Sequence, residues 1–334
     1  MPTTTLNGRI LVTGAAGFIG SALIWALNRR GHTDIIATDL LGHDEKWKNL
    51  VPLRFADYLE APAFREKIAA HSAALGKFTT IFHLGANSST TERNAAHLID
   101  NNYTVTKELA AWALAQNARF IYASSAATYG DGAQGMDDKN PDLAALRPLN
   151  MYGYSKHLFD LHAQRTGILD RIVGVKYFNV YGPNEDHKAD MRSLVNKAYH
   201  QIQTTGQVQL FKSHRSDYKD GEQKRDFLYV KDAVEMTLHF AETAPTATGL
   251  YNLGSGEANT WLTLTRAIFA AMNLPPKIQF IDMPDTLRNK YQYYTCADIT
   301  KLRATGYAKP LTPLAESVRD YVQNYLAPGK KLGE

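Results

Sequence analysis

Apolar residues along this chain gather in short runs, and stretches of helical periodicity lie between them. The run at 9–12 stops at a glycine-spaced turn and passes directly into an amphipathic stretch, 18–30. Further runs at 34–38, 53–56, 79–84, 119–124 and 171–177 end in small or polar residues, most of them ahead of another periodic stretch. Short apolar runs bounded by turn residues predict buried strands, and the periodic stretches predict helices. Their alternation predicts an α/β fold, a doubly wound parallel sheet with ligands at the carboxyl ends of its strands. Helices are expected over 61–75, 92–116, from about 151, and over 191–203, 230–240, 298–304 and 314–325. A late strand is expected at 250–253. No internal repeat or low-complexity tract interrupts the pattern.

The turn after the first run carries chemistry. Gly14, Gly17 and Gly20 stand between strand and helix, where they permit a tight turn, close approach of a pyrophosphate and close helix packing. The helix start, with Phe18 and Ile19, is then an anion site. Asp39 ends the second run close to the position, about 20 residues on, where an acid accepts hydrogen bonds from an adenine ribose. Asp57 follows the third run, either at the adenine edge or as the cap of the next helix. Small residues at 85–89, with Gly85 and Ala86 after Leu84, let a cofactor lie against the backbone. Glycines, helix and acid in register predict dinucleotide binding. Gly182-Pro183 closes this unit. The expected division is a Rossmann-type domain of 1–182 plus about 227–258, and a smaller α/β substrate domain of about 183–226 plus 259–334.

Composition narrows the class. A chain of 334 residues with 44% apolar residues has a large core, which excludes disorder and fibre. The net charge of +4 is small and the basic residues are scattered, which argues against a nucleic-acid partner. The polar amino terminus and the lack of a long apolar run argue against export and a membrane span, so a cytoplasmic protein is expected. Cys296 is the only cysteine and the eleven histidines are widely spaced, so neither a disulfide nor a metal site is expected.

After a loop rich in Gly, Asp and Pro, Tyr152 and Lys156 stand one helical turn apart. A lysine ammonium beside a phenol favours the ionised form, which suits Tyr152 to proton exchange with an alcohol. An isolated pair of this kind is more commonly a half-buried tyrosine beside a solvated lysine. The strand at 119–124, however, runs into Ser125-Ala126-Ala127-Thr128-Tyr129-Gly130 and presents a hydroxyl at its carboxyl end. Ser125, Tyr152 and Lys156 on a glycine-loop scaffold resemble the extended short-chain dehydrogenase/reductase family. The resemblance implies that Ser125 positions a substrate hydroxyl, Tyr152 exchanges its proton, and Lys156 holds the nicotinamide ribose and lowers the tyrosine pKa.

Within that family, Ser88-Ser89-Thr90-Thr91-Glu92, the 177–183 stretch with His187-Lys188, Lys224-Arg225-Asp226-Phe227 and Lys290-Tyr291-Gln292 are similar to nucleotide-sugar epimerases acting at C6 of an ADP-linked heptose. The likeness spans about 9–325. It implies an isomerase that oxidises C6 and returns the hydride to the opposite face with bound NADP, and so serves lipopolysaccharide core synthesis. Lys188 matches a second proton-exchanging group; without the resemblance it reads as a surface lysine. Cofactor contacts are implied for Leu40, Lys46, Leu84, Ser88, Asn101, Val180 and Lys188, and substrate contacts for Ser88, Ser125, Asn179, Asp190, Lys197, Phe211, Arg225 and Tyr291. Arg225 beside an apolar strand also suits a diphosphate in its own right. Relatives form symmetric assemblies, so a homo-oligomer is expected.

Departures from the family pattern bear on the cofactor. Leu84 stands where many relatives carry a carboxylate, Ala61 where a lysine is often found, and Asp39 would repel a 2'-phosphate unless Lys46 screens it. NADP is expected, with NAD as the alternative. Competing activities are another epimerase, a dehydratase or a reductase of the extended family, and a non-catalytic cofactor sensor. The alanines after Ser125 argue against a dehydratase, and the intact Ser125 and Tyr152 against a sensor.

Overall fold

The computed structural model describes residues 6–140, 142–288 and 291–334, so Lys290 of the quoted motif lies outside the described residues. Strand β1 (Ile10–Thr13) is fully buried and leads through the glycine turn into helix α1 (Phe18–Arg29). Then come β2 (Ile35–Asp39), β3 (Asp57–Glu60), α2 (Ala61–Ala69) and β4 (Thr80–His83). A long helix follows in three parts: α3 (Ala95–Leu98), a π-helical stretch (Ile99–Thr104) and α4 (Val105–Ala115). Strand β5 (Arg119–Ser125), helix α5 (Met151–Arg165) and strand β6 (Val173–Tyr177) complete the first half.

In the second half, β7 (Asn179–Tyr181), α6 (Leu194–Thr205), β8 (Val208–Phe211) and β9 (Lys224–Tyr229) precede α7 (Val230–Glu242). Strands β10 (Gly249–Leu253) and β11 (Ala258–Thr260), helix α8 (Trp261–Ala271) and β12 (Ile278–Ile281) follow, and a helix spans Leu314–Tyr321. Seven strands form one sheet in the order β10-β6-β5-β4-β1-β2-β3. Each neighbouring pair is parallel. The order reverses at β1, between β2 and β4. That reversal opens a crevice above the strand ends, where a doubly wound sheet binds its ligand. Two small sheets lie outside it, β11-β9-β7 and β12-β8.

Two local departures from the pattern have physical causes. The run at 53–56 is irregular chain leaving a turn, with Leu53 N–H donating to Leu50 O, and only its last residue reaches the sheet, Ala56 N–H donating to Ile35 O. Pairing begins at Asp57, opposite Ile36, so β3 lies four residues later than expected and is a polar edge strand. The helix expected over 61–75 breaks after Ala69, where His71 adopts a positive φ of 49°.

Candidate active site

The glycine turn is closed by backbone contact. Gly14 has φ +67°, and a Cβ there would lie 2.7 Å from Gly85 Cα; at Gly20 it would lie 1.9 Å from Gly14 O. Side chains are excluded from both positions, so the strand-to-helix turn and the β4 loop form a bare backbone cradle suited to a dinucleotide. Asp39 completes it. One carboxylate oxygen accepts from Ala16 N–H (2.9 Å) and Gly17 N–H (3.1 Å), and the other from Leu40 N–H (2.7 Å) and Lys46 Nζ (3.0 Å). The acid expected to meet a ribose thus also holds the phosphate turn in shape, and Lys46 balances its charge.

The cradle opens into a cavity of ≈ 930 Å³. Gly14, Gly17, Phe18, Ile19, Gly20, Asp39 and Lys46 line one end, and Leu84, Gly85, Ala86, Ser88, Val180 and Lys188 continue the wall. Ser125, Tyr152 and Lys156 line the same cavity, as do Asn179, Lys197, Phe211 and Tyr291. Five residues singled out in the sequence are not on the wall. Leu40 is 55% exposed, and Asp57 is exposed on edge strand β3. Asp190 is exposed, with its carbonyl accepting from Lys197 Nζ. Asn101 donates to its neighbour Asn102 (3.0 Å). Arg225 is buried behind the wall, its guanidinium carbon 5.7 Å from the Trp261 ring centre and 5.2 Å from that of Tyr291.

Helix α5 presents Tyr152 and Lys156. Asn150 caps it by accepting from Gly153 N–H (2.8 Å), so Tyr152 stands in the first turn and Lys156 in the next. Tyr152 and Ser125 are hydrogen-bonded. Burial pushes the Tyr152 phenol up from its ordinary value, and the Ser125 hydrogen bond only partly opposes that. The lowering expected from the Lys156 ammonium does not figure among the influences on the phenol, and loss of water around the ring sets the direction. Burial also pulls Lys156 down to about 8, against the carboxylate of Asp160 one turn further on.

The sequence matches the model of the NAD dependent epimerase/dehydratase family over residues 10–254. Across 95% of this chain and 98% of the relative, it is 49% identical to an ADP-L-glycero-D-manno-heptose-6-epimerase of Nitratidesulfovibrio vulgaris strain DP4. It is 43% identical to one of Fusobacterium nucleatum over the same shares. The chain belongs to this epimerase family. The crystal structure of the Helicobacter pylori ADP-L-glycero-D-manno-heptose-6-epimerase superposes with a TM-score of 0.78 at 26% identity, covering 97% of this chain and 98% of that one. The chain is thus an enzyme of the isomerase class with a nicotinamide cofactor, and its parallel sheet is the Rossmann-type sheet expected from the alternation of elements.

Several buried side chains that hold this epimerase-family site together were not singled out in the sequence. Asp160 and Lys176 are both fully buried and paired at 2.8 Å; Asp160 also accepts from Tyr122 (2.8 Å) and from Ser124 (2.7 Å), the neighbour of Ser125 on β5. The i+4 step from Lys156 to Asp160 is the one signal that marks it. His83 bridges two hydroxyls. Gly85 N–H donates to Thr13 Oγ1, leaving the Thr13 hydroxyl to donate to His83 Nδ1 (2.7 Å). On the far side Thr106 donates to Asn102 O, so it accepts from His83 Nε2–H (2.9 Å). Asn102 in turn donates to Ser155 (3.0 Å), whose hydroxyl donates to Tyr152 O (2.7 Å). The cradle and α5 are joined through a neutral imidazole.

Burial, and then the Lys156 ammonium, pull His83 down to about 3 from an ordinary value of 6.5. Stability from keeping it neutral is complete above the unfolded value and is lost as pH falls towards the folded one. Replacing His83 with Gln is expected to flatten the fall in unfolding free energy over that window by about 1.4 kcal/mol per pH unit. Denaturant titrations of both proteins across the window measure it. Parallel curves would mean that the imidazole charges within the fold.

Proposed function

We propose that this enzyme interconverts the two C6 epimers of ADP-glycero-manno-heptose with a tightly held NADP. Residues 1–182 plus about 227–258 would hold the cofactor, and 183–226 plus 259–334 would cover the sugar. The observation that carries the reading is the single cavity lined by Ser125, Tyr152 and Lys156 together with a second cation, Lys188. Bound NADP supplies the chemistry of hydride removal and return. Ser125 orients the C6 hydroxyl, and Tyr152 takes its proton and gives it back. Inversion requires the sugar to present both faces of C6, and one fixed base cannot reach the hydroxyl in both orientations. Lys188 is half-buried, and burial draws its pKa down against the opposing charge of Glu185, which suits it to exchange a proton.

Arg225 supports an anionic substrate. Its guanidinium donates to the carbonyls of Lys224 and Gln292 rather than to a carboxylate, and it stacks near Tyr291. Its charge is free to balance a diphosphate beyond the ring. The purified protein should convert either epimer to a mixture of both, followed by NMR, with no net change in reduced-nicotinamide absorbance. One-way reduction or loss of water would overturn the reading.

The Asp39–Lys46 pair supports NADP, because a lysine that already neutralises the ribose acid can also meet a 2'-phosphate. Lys46→Ala should weaken NADP binding about 10- to 100-fold, as expected for losing a hydrogen bond to a charged group, and weaken NAD much less. Calorimetric titration with both nucleotides checks this, and equal losses would remove Lys46 from cofactor choice. No helix among the described residues is long and apolar enough to cross a membrane. We read the protein as a cytoplasmic homo-oligomer, a state that sedimentation of the purified protein tests.

A further inference from the structure

We propose that Asn49 is a positioning residue for Lys188, fixing the lysine against the glycine turn so that its ammonium reaches one face of the sugar. The proposal rests on the reading of Lys188 as the second proton-exchanging group. Asn49 is 2% exposed and far from Lys188 in sequence. Its carboxamide nitrogen donates to carbonyls from separate segments, Ala16 O at 2.9 Å and Asn184 O at 3.0 Å, and also lies 3.4 Å from Nδ1 of His187, the neighbour of Lys188. Ala16 lies inside the glycine turn, with its own N–H held by Asp39. Asn184 begins the loop that carries Lys188.

Lys188 lies in a short 3₁₀-helical stretch, Asp186–Met191, that is kinked at Ala189. Asn184 has φ +77°, and Ala189, next to Lys188, has φ +47°, a region that disfavours a side chain. Within the loop, the buried Glu185 carboxylate accepts from Ser193 N–H and Ser193 Oγ, both at 2.6 Å, which closes the loop on itself. Asn49 fastens it to the cofactor half together with two further hydrogen bonds, Asn184 Nδ2 donating to Ser21 Oγ on α1 at 3.0 Å and Thr90 Oγ1 donating to Met191 Sδ at 3.8 Å. The Lys188 ammonium then lies 5.3 Å from the centre of the Phe18 ring, two residues beyond Ala16. The lysine is thereby registered on the phosphate turn. A displacement of about 1 Å of a reacting group costs on the order of 100-fold in rate.

The overall equilibrium constant ties the steady-state efficiencies of the two directions together, so the test uses the oxidation step alone. Asn49→Ala, Asn49→Asp, Lys188→Met and the combined variants are loaded with NADP, and reduction of the bound nucleotide by each C6 epimer is followed in a single turnover. Asn49→Asp is nearly isosteric but turns an oxygen toward two carbonyl oxygens. Asn49→Ala serves if Asn49→Asp does not fold, as judged by thermal unfolding. The expected result is that Asn49→Ala slows, about 10- to 100-fold, the epimer that Lys188→Met slows, and has little effect on the other. In the Lys188→Met background it then adds nothing further.

Equal slowing of both epimers by the Asn49 variants, or a full effect in the Lys188→Met background, overturns the proposal while leaving Lys188 in place. Equal slowing of both epimers by Lys188→Met overturns the reading of Lys188, and the proposal with it.

Discussion

Tyr152→Phe is expected to lower epimerisation about 100- to 10,000-fold, the usual span for removing a positioned acid or base, while nicotinamide nucleotide stays bound. The change deletes one hydroxyl and almost no volume. The cradle formed by Gly14, Gly20 and Gly85 and the Asp39 contacts lie in other segments and are untouched. Loss of the hydroxyl also removes the hydrogen bond to Ser125, the group that opposes the upward push of burial on the phenol. Turnover of the purified variant and the nucleotide released on denaturation give the two readouts. Turnover within a factor of about three of the unmodified enzyme would remove Tyr152 from proton exchange. Loss of the nucleotide would instead make the ring part of the cofactor site.

The largest stability effect is expected at Lys176. The ammonium is fully buried between the Asp160 carboxylate (2.8 Å) and the Thr128 hydroxyl (2.6 Å), and it stands 4.8 Å from the centre of the Tyr129 ring. Lys176→Met leaves Asp160 buried with only Tyr122 and Ser124 as hydrogen-bond donors, which should cost about 3–5 kcal/mol in denaturant unfolding. Replacing both members with apolar residues should recover much of that loss, since neither charge then needs compensation. A single-variant loss below about 1 kcal/mol would mean that water reaches the pair.

The pair also reaches the chemistry, because Asp160 holds up the pKa of Lys156. Asp160→Asn removes that support, so the alkaline fall in turnover should begin at a lower pH than in the unmodified enzyme. An unmoved alkaline limb would separate Lys156 from that fall.

Much of the sheet was legible because its strands are buried on both faces. Runs such as Ile10–Thr13 and Thr80–His83 have no exposed position and carry no charged residue, so they read as short, mainly apolar punctuation between periodic helices. β3 was misplaced because an edge strand with no buried residue, Asp57 and Glu60 at its ends being exposed, carries no such run. The helix from 95 to 115 was visible, yet its π-helical stretch was not, since hydrophobic spacing reports the faces of a helix and not its local pitch.

Residues touching the cavity were legible where chemistry fixes the spacing, as for the glycines and the Tyr152–Lys156 step. The supporting residues were not. Asn49, His83 and Lys176 act through partners 33 or more, 23 or more, and 16 or more positions away, and no local pattern marks a contact of that range.

The π-helical stretch has a consequence for chains related to this one. Its wider turn accommodates one residue more than an α-helix needs, and it centres on Asn101 and Asn102. Shortening Ile99–Thr104 by one position would let α3 and α4 run on as an ordinary helix with their packing faces kept. Asn102 would then no longer face both Asn87 and Ser155, which it now bridges from the bulge. A homologue missing that single residue would fold normally and still have lost the strut behind its tyrosine, so a gap here in an alignment separates look-alikes from working copies.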